Sequence, residues 1–257
     1  MESGVDRRVR VFSSLATLSS GAARHVAERA RDAVAARGRF TWVLAGGHTP
    51  EGLYRKLAER YQTDFPWRES EVFFGDERCV PAGSPLSNYS MARDALLRHV
   101  PIPAGRVHRL RGEVRPPSEA AATYRRLLDR LALRGDGTGV RFDLVVLGIG
   151  PDGHTASLFP GSSALRERQR TVVALRRSGQ PPWVPRLTLT LPAFASSREV
   201  LFLVAGEEKA DVVARVLRAR PPGNPNLPAS RIRSAGSVRW FLNRSAASHL
   251  SKGLLSS

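Results

Sequence analysis

Hydrophobic and polar positions along this chain change period repeatedly. Residues 9–12 read Val-Arg-Val-Phe, and soon afterwards Ala23, Val26, Ala27, Ala30 and Val34 recur at three- and four-residue spacing. The first pattern predicts a strand. The second predicts a helix with one apolar stripe and Ser20 as its N-cap. Residues 40–45 form an apolar run that ends at Gly46 and Gly47, followed by Leu53, Tyr54 and Leu57 at helical spacing. The same grammar predicts strands over 71–74, 142–147, 200–204 and 238–242. It predicts helices over 88–99, over 207–218, and from Ser118 through Tyr124, Leu127, Leu128 and Leu131. Residues 142–147 are almost continuously apolar, as a central parallel strand covered on both faces should be. Leu187, Leu189 and Leu191 alternate with Thr188 and Thr190, which predicts a half-buried strand over 186–191. Strands alternating with helices argue for a layered α/β fold with a mostly parallel sheet.

Proline-rich segments at 116–117, 181–185 and 221–228 interrupt this pattern only briefly, so they read as loops and not as linkers. A length of 257 residues admits one or two domains. Without a linker the expectation is a single domain over 1–257. No apolar run approaches the ~18 to 20 residues of a membrane span, so no membrane association is expected. The lone Cys79 cannot form an internal disulfide, which fits a reducing, cytoplasmic setting.

Charge changes the picture more than length does. Forty Lys and Arg against 23 Asp and Glu leave a formal charge of +17, and such a surface attracts phosphate. Only Lys56, Lys209 and Lys252 are lysines, the arginines are spread over most of the chain, and no zinc-ligand spacing or RNA-binding aromatic motif accompanies them. Specific nucleic-acid recognition is therefore not expected, whereas encounter with a small anionic substrate is favoured. The arginine- and serine-bearing, acid-poor stretch 1–39 also has the composition of an organelle transit peptide. A strand and a capped helix account for more of its residues.

Three strand ends carry candidate chemistry, because ligands of open α/β sheets collect at the carboxyl ends of strands. The first, Ala45-Gly46-Gly47-His48-Thr49-Pro50, offers a close backbone approach and a hydroxyl at a helix start. It is a phosphate cradle or a mere tight connection. The second, Phe74-Gly75-Asp76-Glu77-Arg78, is a charged surface loop or, inside a cleft, a set of carboxylates and a guanidinium for sugar hydroxyls and oxyanions. The third runs from Leu147 through Gly148, Gly150, Asp152, Gly153 and His154 to Gly161. A histidine in a glycine-rich turn after a buried strand is a candidate base, since imidazole titrates at about 6.5.

These blocks resemble the signature segments of the 6-phosphogluconolactonases: the first turn, Gly75-Asp76-Glu77-Arg78-Cys79-Val80-Pro81 with Ser87-Asn88-Tyr89, and the run from Gly148 to Gly161. The resemblance continues through Arg186-Leu187-Thr188-Leu189-Thr190, Gly206-Glu207-Glu208-Lys209-Ala210 and Trp240-Phe241-Leu242, in the family's order. It implies a three-layer α/β/α fold and hydrolysis of 6-phospho-D-glucono-1,5-lactone to 6-phosphogluconate, the second step of the oxidative pentose phosphate pathway. It makes His154 the general base and Asp76 the acid that supports either the histidine or the substrate. Gly46, Gly47, Thr49, Arg78, Asn88, Asp152, Arg186 and Lys209 become the substrate-binding residues. Two positions depart from the family's pattern: His48 stands where serine is frequent, and Asn243 where aspartate is common.

The chemistry agrees with that assignment. A lactone carbonyl is already electrophilic, so a base for water and donors for the developing oxyanion suffice. The scattered histidines offer no metal-ligand spacing, and there is no Gly-x-Ser-x-Gly elbow. The expectation is therefore no metal and no cofactor, with glucose-6-phosphate dehydrogenase as a candidate for functional coupling. The related glucosamine-6-phosphate deaminases need a further carboxylate, supplied by a glutamate five residues past the histidine. Here that residue is Phe159. A non-catalytic sugar-phosphate-binding protein is the other alternative, although it has no chemical need for the base.

Overall fold

In this computed structural model, which describes residues 7–132, 141–176 and 179–251, the N-terminal half contains β1 (Arg7–Phe12), α1 (Leu15–Arg37), β2 (Phe40–Leu44), α2 (His48–Arg60), β3 (Ser70–Phe74), β4 (Asp76–Arg78), α3 (Asn88–Ala95) and α4 (Pro117–Ala132). The C-terminal half adds β5 (Leu144–Leu147), β6 (Val172–Leu175), β7 (Arg186–Leu189), α5 (Leu191–Ala195), β8 (Glu199–Val204), α6 (Ala210–Arg218) and β9 (Ser237–Asn243).

Six strands form one sheet in the order β1-β9-β8-β5-β2-β3, and every pairing in it is parallel. This is the central sheet of a three-layer α/β fold. β5 and β8 are buried at every position, as the apolar runs Leu144–Leu147 and Val200–Val204 require. Phe202 on β8 stacks on Trp240 of β9 with ring centroids 3.9 Å apart. From β2 the chain steps outward to β3, then returns on the other side of β2 as β5, β8 and β9. The order reverses between β2 and β5, and a crevice at the carboxyl ends follows from that reversal. Among the described residues no helix is long and apolar enough to cross a membrane.

The structure corrects several local readings. The first helix is capped by Ser14, whose hydroxyl accepts from the Thr17 N–H at 3.2 Å while Thr17 Oγ1 accepts from the Ser14 N–H at 3.0 Å. Ser20 lies inside that helix, because the capping box places the start one and a half turns earlier. The expected apolar stripe is present, with Ala23, Val26, Ala27 and Ala30 fully buried. Part of the stretch 1–39 is thus integral to the fold, and its first six residues lie outside the described residues, as does Lys252. Pro117 opens α4 and does not belong to a loop, since the first helical position needs no N–H donor.

The larger correction is a second sheet. β4, β7 and β6 form an antiparallel three-stranded sheet in that order. Asp76, Glu77 and Arg78 are therefore strand residues and not a loop. β7 ends at Leu189, and all its residues are buried, so it is not half-buried. Its one threonine looks polar in sequence but faces neighbouring chain: Thr188 Oγ1 accepts from the Ser157 N–H at 3.3 Å. No helix follows β5 directly, either. Residues 148–161 run as turns closed by a bridge between Thr155 and Leu158.

Candidate active site

The strand order places β8, β5, β2 and β3 side by side, so the segments leaving their carboxyl ends share one cleft of about 730 Å³. Gly46, Gly47, Thr49, Asp76, Arg78, Asn88, His154 and Lys209 all lie on its wall. They come from four separate parts of the chain.

After β2, the backbone at Ala45 is held by Tyr54, whose hydroxyl accepts from the Ala45 N–H at 2.9 Å and donates to its carbonyl at 2.8 Å. Burial pushes that phenol well above its ordinary range. Gly47 precedes α2 without any side-chain cap, so the first-turn N–H groups of α2 keep their capacity for an anion. Gly46 is needed for space: a Cβ there would run into the Asn88 amide. His48 is fully exposed, 3.6 Å from Glu51, and lies on the rim of the same cleft.

After β3, Asp76 is buried and held by two neighbours. Ser157 Oγ donates to its Oδ2 at 2.6 Å, and the Asn88 amide donates to its Oδ1 at 3.0 Å and to its carbonyl at 2.9 Å. Arg78 donates to the Leu86 carbonyl at 2.7 Å, while its buried Nε has no hydrogen-bond partner. Directly across the β4–β7 pair stands Arg186. It is buried, donates to the Pro182 carbonyl at 3.0 Å, and likewise leaves its Nε without a partner. Burial and the adjacent Arg78 charge lower its guanidinium pKa from the ordinary value. Arg186 stands beside Arg78 across the strand pair and is not part of the cleft wall.

After β5, the chain folds back on itself so that the Gly150 N–H reaches the His154 carbonyl at 2.8 Å. A Cβ at Gly150 would collide with the imidazole. His154 Nδ1 lies 2.5 Å from Asp152 Oδ1, which also accepts the His154 N–H at 3.1 Å. Burial alone would raise the Asp152 carboxyl. The His154 hydrogen bond and charge, its backbone N–H and the Gln180 amide outweigh burial and lower it to about 2. Asp152 is then a carboxylate that can only accept, so Nδ1 is the nitrogen that presents a proton to it. Phe159 packs on the imidazole with ring centroids 4.7 Å apart. Ala156, on the cleft wall, holds φ at 48° and is the one left-handed non-glycine among the described residues. That conformation costs about 1 to 2 kcal/mol and persists because the Thr155–Leu158 bridge closes the turn around it.

After β8, the turn carrying Lys209 is tied to the end of β9. Asn243 Oδ1 accepts from the Gly206 N–H at 3.2 Å and from the Ala246 N–H at 2.9 Å. Both are tasks that one carbonyl-type oxygen performs, so asparagine serves here. Among the described residues no three His, Cys, Asp or Glu side chains converge as a metal site would need.

The carboxylate in contact with the imidazole is Asp152 and not Asp76, and Asp152 is off the cleft wall. Ser157 and Gln180 were not anticipated as contributors. Ser157 lies within the glycine-rich run that drew attention to His154, whereas Gln180 sits in a proline-rich loop with no local signal.

The model of the glucosamine-6-phosphate isomerase/6-phosphogluconolactonase family matches residues 13–240. A 6-phosphogluconolactonase of Mycobacterium leprae is 40% identical over 94% of this chain and 98% of its own. The human 6-phosphogluconolactonase is 40% identical over 93% of this chain and 92% of its own. The solved 6-phosphogluconolactonase of Trypanosoma cruzi superposes with a TM-score of 0.82 at 32% identity, covering 96% of this chain and 98% of that one. With the cleft at the sheet's reversal point and the likeness running through nearly the whole chain, this protein belongs to the glucosamine-6-phosphate isomerase/6-phosphogluconolactonase family.

Proposed function

We propose that this protein hydrolyses 6-phospho-D-glucono-1,5-lactone to 6-phospho-D-gluconate, the second step of the oxidative pentose phosphate pathway. The observation that carries the reading is His154 on the wall of a cation-bearing cleft with Asp152 against its Nδ1. Where an isomerising relative would need a further carboxylate, the imidazole meets Phe159.

His154 Nε2 takes a proton from water as the oxygen adds to the lactone C1. Asp152 holds the tautomer and stabilises the imidazolium. The tetrahedral oxyanion then collapses, the bond from C1 to the ring oxygen breaks, and that oxygen leaves with the proton returned by the imidazolium. Asp76 and Asn88 face the sugar hydroxyls. The phosphate sits on Gly46, Gly47 and Thr49 with Arg78 and Lys209, and Arg186 adds its charge from beside Arg78. No metal or other cofactor takes part, because the carbonyl needs no further polarisation. One unit over 1–257 suffices for this chemistry. The setting is cytoplasmic, and glucose-6-phosphate dehydrogenase, which makes the lactone, is the functional partner.

The decisive experiment follows lactone disappearance with purified protein, corrected for spontaneous hydrolysis. A rate no faster than the spontaneous one would sink the proposal.

A further inference from the structure

Glu77 is one residue away from two members of the cleft wall, yet it faces the other way. Successive strand residues point to opposite faces, so Asp76 and Arg78 reach the cleft while Glu77 is directed beneath the start of α3. There it is buried and fully engaged. Its Oε1 accepts the Asn88 N–H at 2.7 Å and the Arg78 N–H at 2.7 Å, and its Oε2 accepts the Tyr89 N–H at 2.8 Å and the Ser87 hydroxyl at 2.9 Å. Ser87 Oγ is also the N-cap of α3, accepting the Ser90 N–H at 3.1 Å. Burial raises the Glu77 carboxyl pKa from its ordinary value, and the four donors work against that shift.

The consequence reaches the cleft through Asn88, the first residue of α3. Its backbone is fixed by Glu77, and its side chain donates twice to Asp76 and fills the space over Gly46. We infer that Glu77 is a positioning residue for substrate binding: by clamping the first turn of α3 it sets the Asn88 amide, and with it the orientation of Asp76 and the width of the cleft at Gly46. The inference rests on the functional reading above only for the identity of the substrate.

The test compares Glu77→Gln, Asn88→Ala and the double variant. Glu77→Gln keeps the volume but turns an acceptor into a donor facing N–H groups, which displaces the first turn of α3. Because Glu77 acts through Asn88, the KM for the phosphorylated lactone should rise about ten-fold in each single variant. kcat should change far less, and the double variant should be no worse than the poorer single one. Glu77→Asp retains the charge on a shorter arm and should fall between wild type and Glu77→Gln. If the Gln variant does not fold, the Asp variant is paired with Asn88→Ala on the same axes. Additive losses, or a folded variant with unchanged KM, would overturn the inference. A crystal structure of the variant reads the contact between Asn88 and Asp76 without any substrate. Wild-type protein lacking lactonase activity therefore sinks the functional reading, while an Asn88 amide still seated on Asp76 in the variant sinks this one.

Discussion

The two ends of the parallel sheet are built to different rules. At the amino ends, buried carboxylates are matched. Asp143 receives Arg37 at 2.7 and 3.1 Å, the Thr41 N–H at 2.8 Å and its hydroxyl at 3.0 Å, with Arg198 Nε at 3.3 Å. Glu199 lies 2.5 Å from His25 and 3.3 Å from Arg239. The Nε of Arg239 at this end, like those of Arg78 and Arg186 at the other, makes no hydrogen bond, but it lies within ion-pair reach of Glu199. At the carboxyl ends, α2 begins without a side-chain cap, and Ala156 is held in a left-handed conformation. Ion pairs thus close one end in the service of the fold. The other is held open at an energetic cost, as a site for an anion requires.

That contrast can be tested from its strongest element downward. His154→Ala should lower kcat by about two to four orders of magnitude, the loss expected for a general base, while binding of 6-phosphogluconate by calorimetry survives. Near-normal turnover would remove His154 from the mechanism. At the opposite end, Asp143→Ala should leave turnover nearly intact and cost on the order of 3 kcal/mol in urea denaturation, because two guanidiniums and Thr41 lose their acceptor. A large fall in kcat without a loss of stability would erase the distinction between the two ends.

Next come the cations proposed to hold the phosphate. Arg186→Ala and Lys209→Ala should raise KM more than they lower kcat, with kcat/KM falling about ten- to a hundredfold. Unphosphorylated gluconolactone should be affected far less. Equal losses on both substrates would assign these cations to the reacting carbonyl or to the fold.

A smaller effect concerns acid stability. The Asp152 carboxyl is lowered from 3.8 to about 2 in the folded protein. Its contribution is thus complete above its ordinary value and is lost as pH falls toward about 2. The stability gap between wild type and Asp152→Asn should narrow over that window, and a gap constant with pH would contradict the pairing with His154. The smallest expected effect is none: dialysis against EDTA should leave activity unchanged, and activity restored by added zinc or magnesium would show a missing ligand set.

Much of the fold was legible because it is written in local periodicity. The strands around 40–45, 142–147 and 200–204 and the apolar stripe of α1 each follow from a period of two, a continuous apolar run, or a period of 3.6. The candidate base was legible for a related reason, since glycines crowding around one histidine after a buried strand form a local signal. β6, with its four residues Val172–Leu175, carries too short a run to separate strand from loop. The burial of Thr188 could not be seen either, because a threonine facing water and one facing Ser157 look alike along the chain.

By itself, then, the sequence determined an α/β chain with an imidazole and an anion-seeking loop at strand ends, since those features depend on neighbours a few residues apart. Tertiary structure decided which carboxylate serves which partner. Asp152 reaches His154 across two residues, but Asp76 is held by Ser157 across 81 and by Asn88 across 12. The parallel and antiparallel sheets meet where β3 passes into β4 through Gly75, and this junction brings Arg78 opposite Arg186. Such pairings are set by strand order and register, which come from how the whole core closes and have no counterpart in any short stretch of residues.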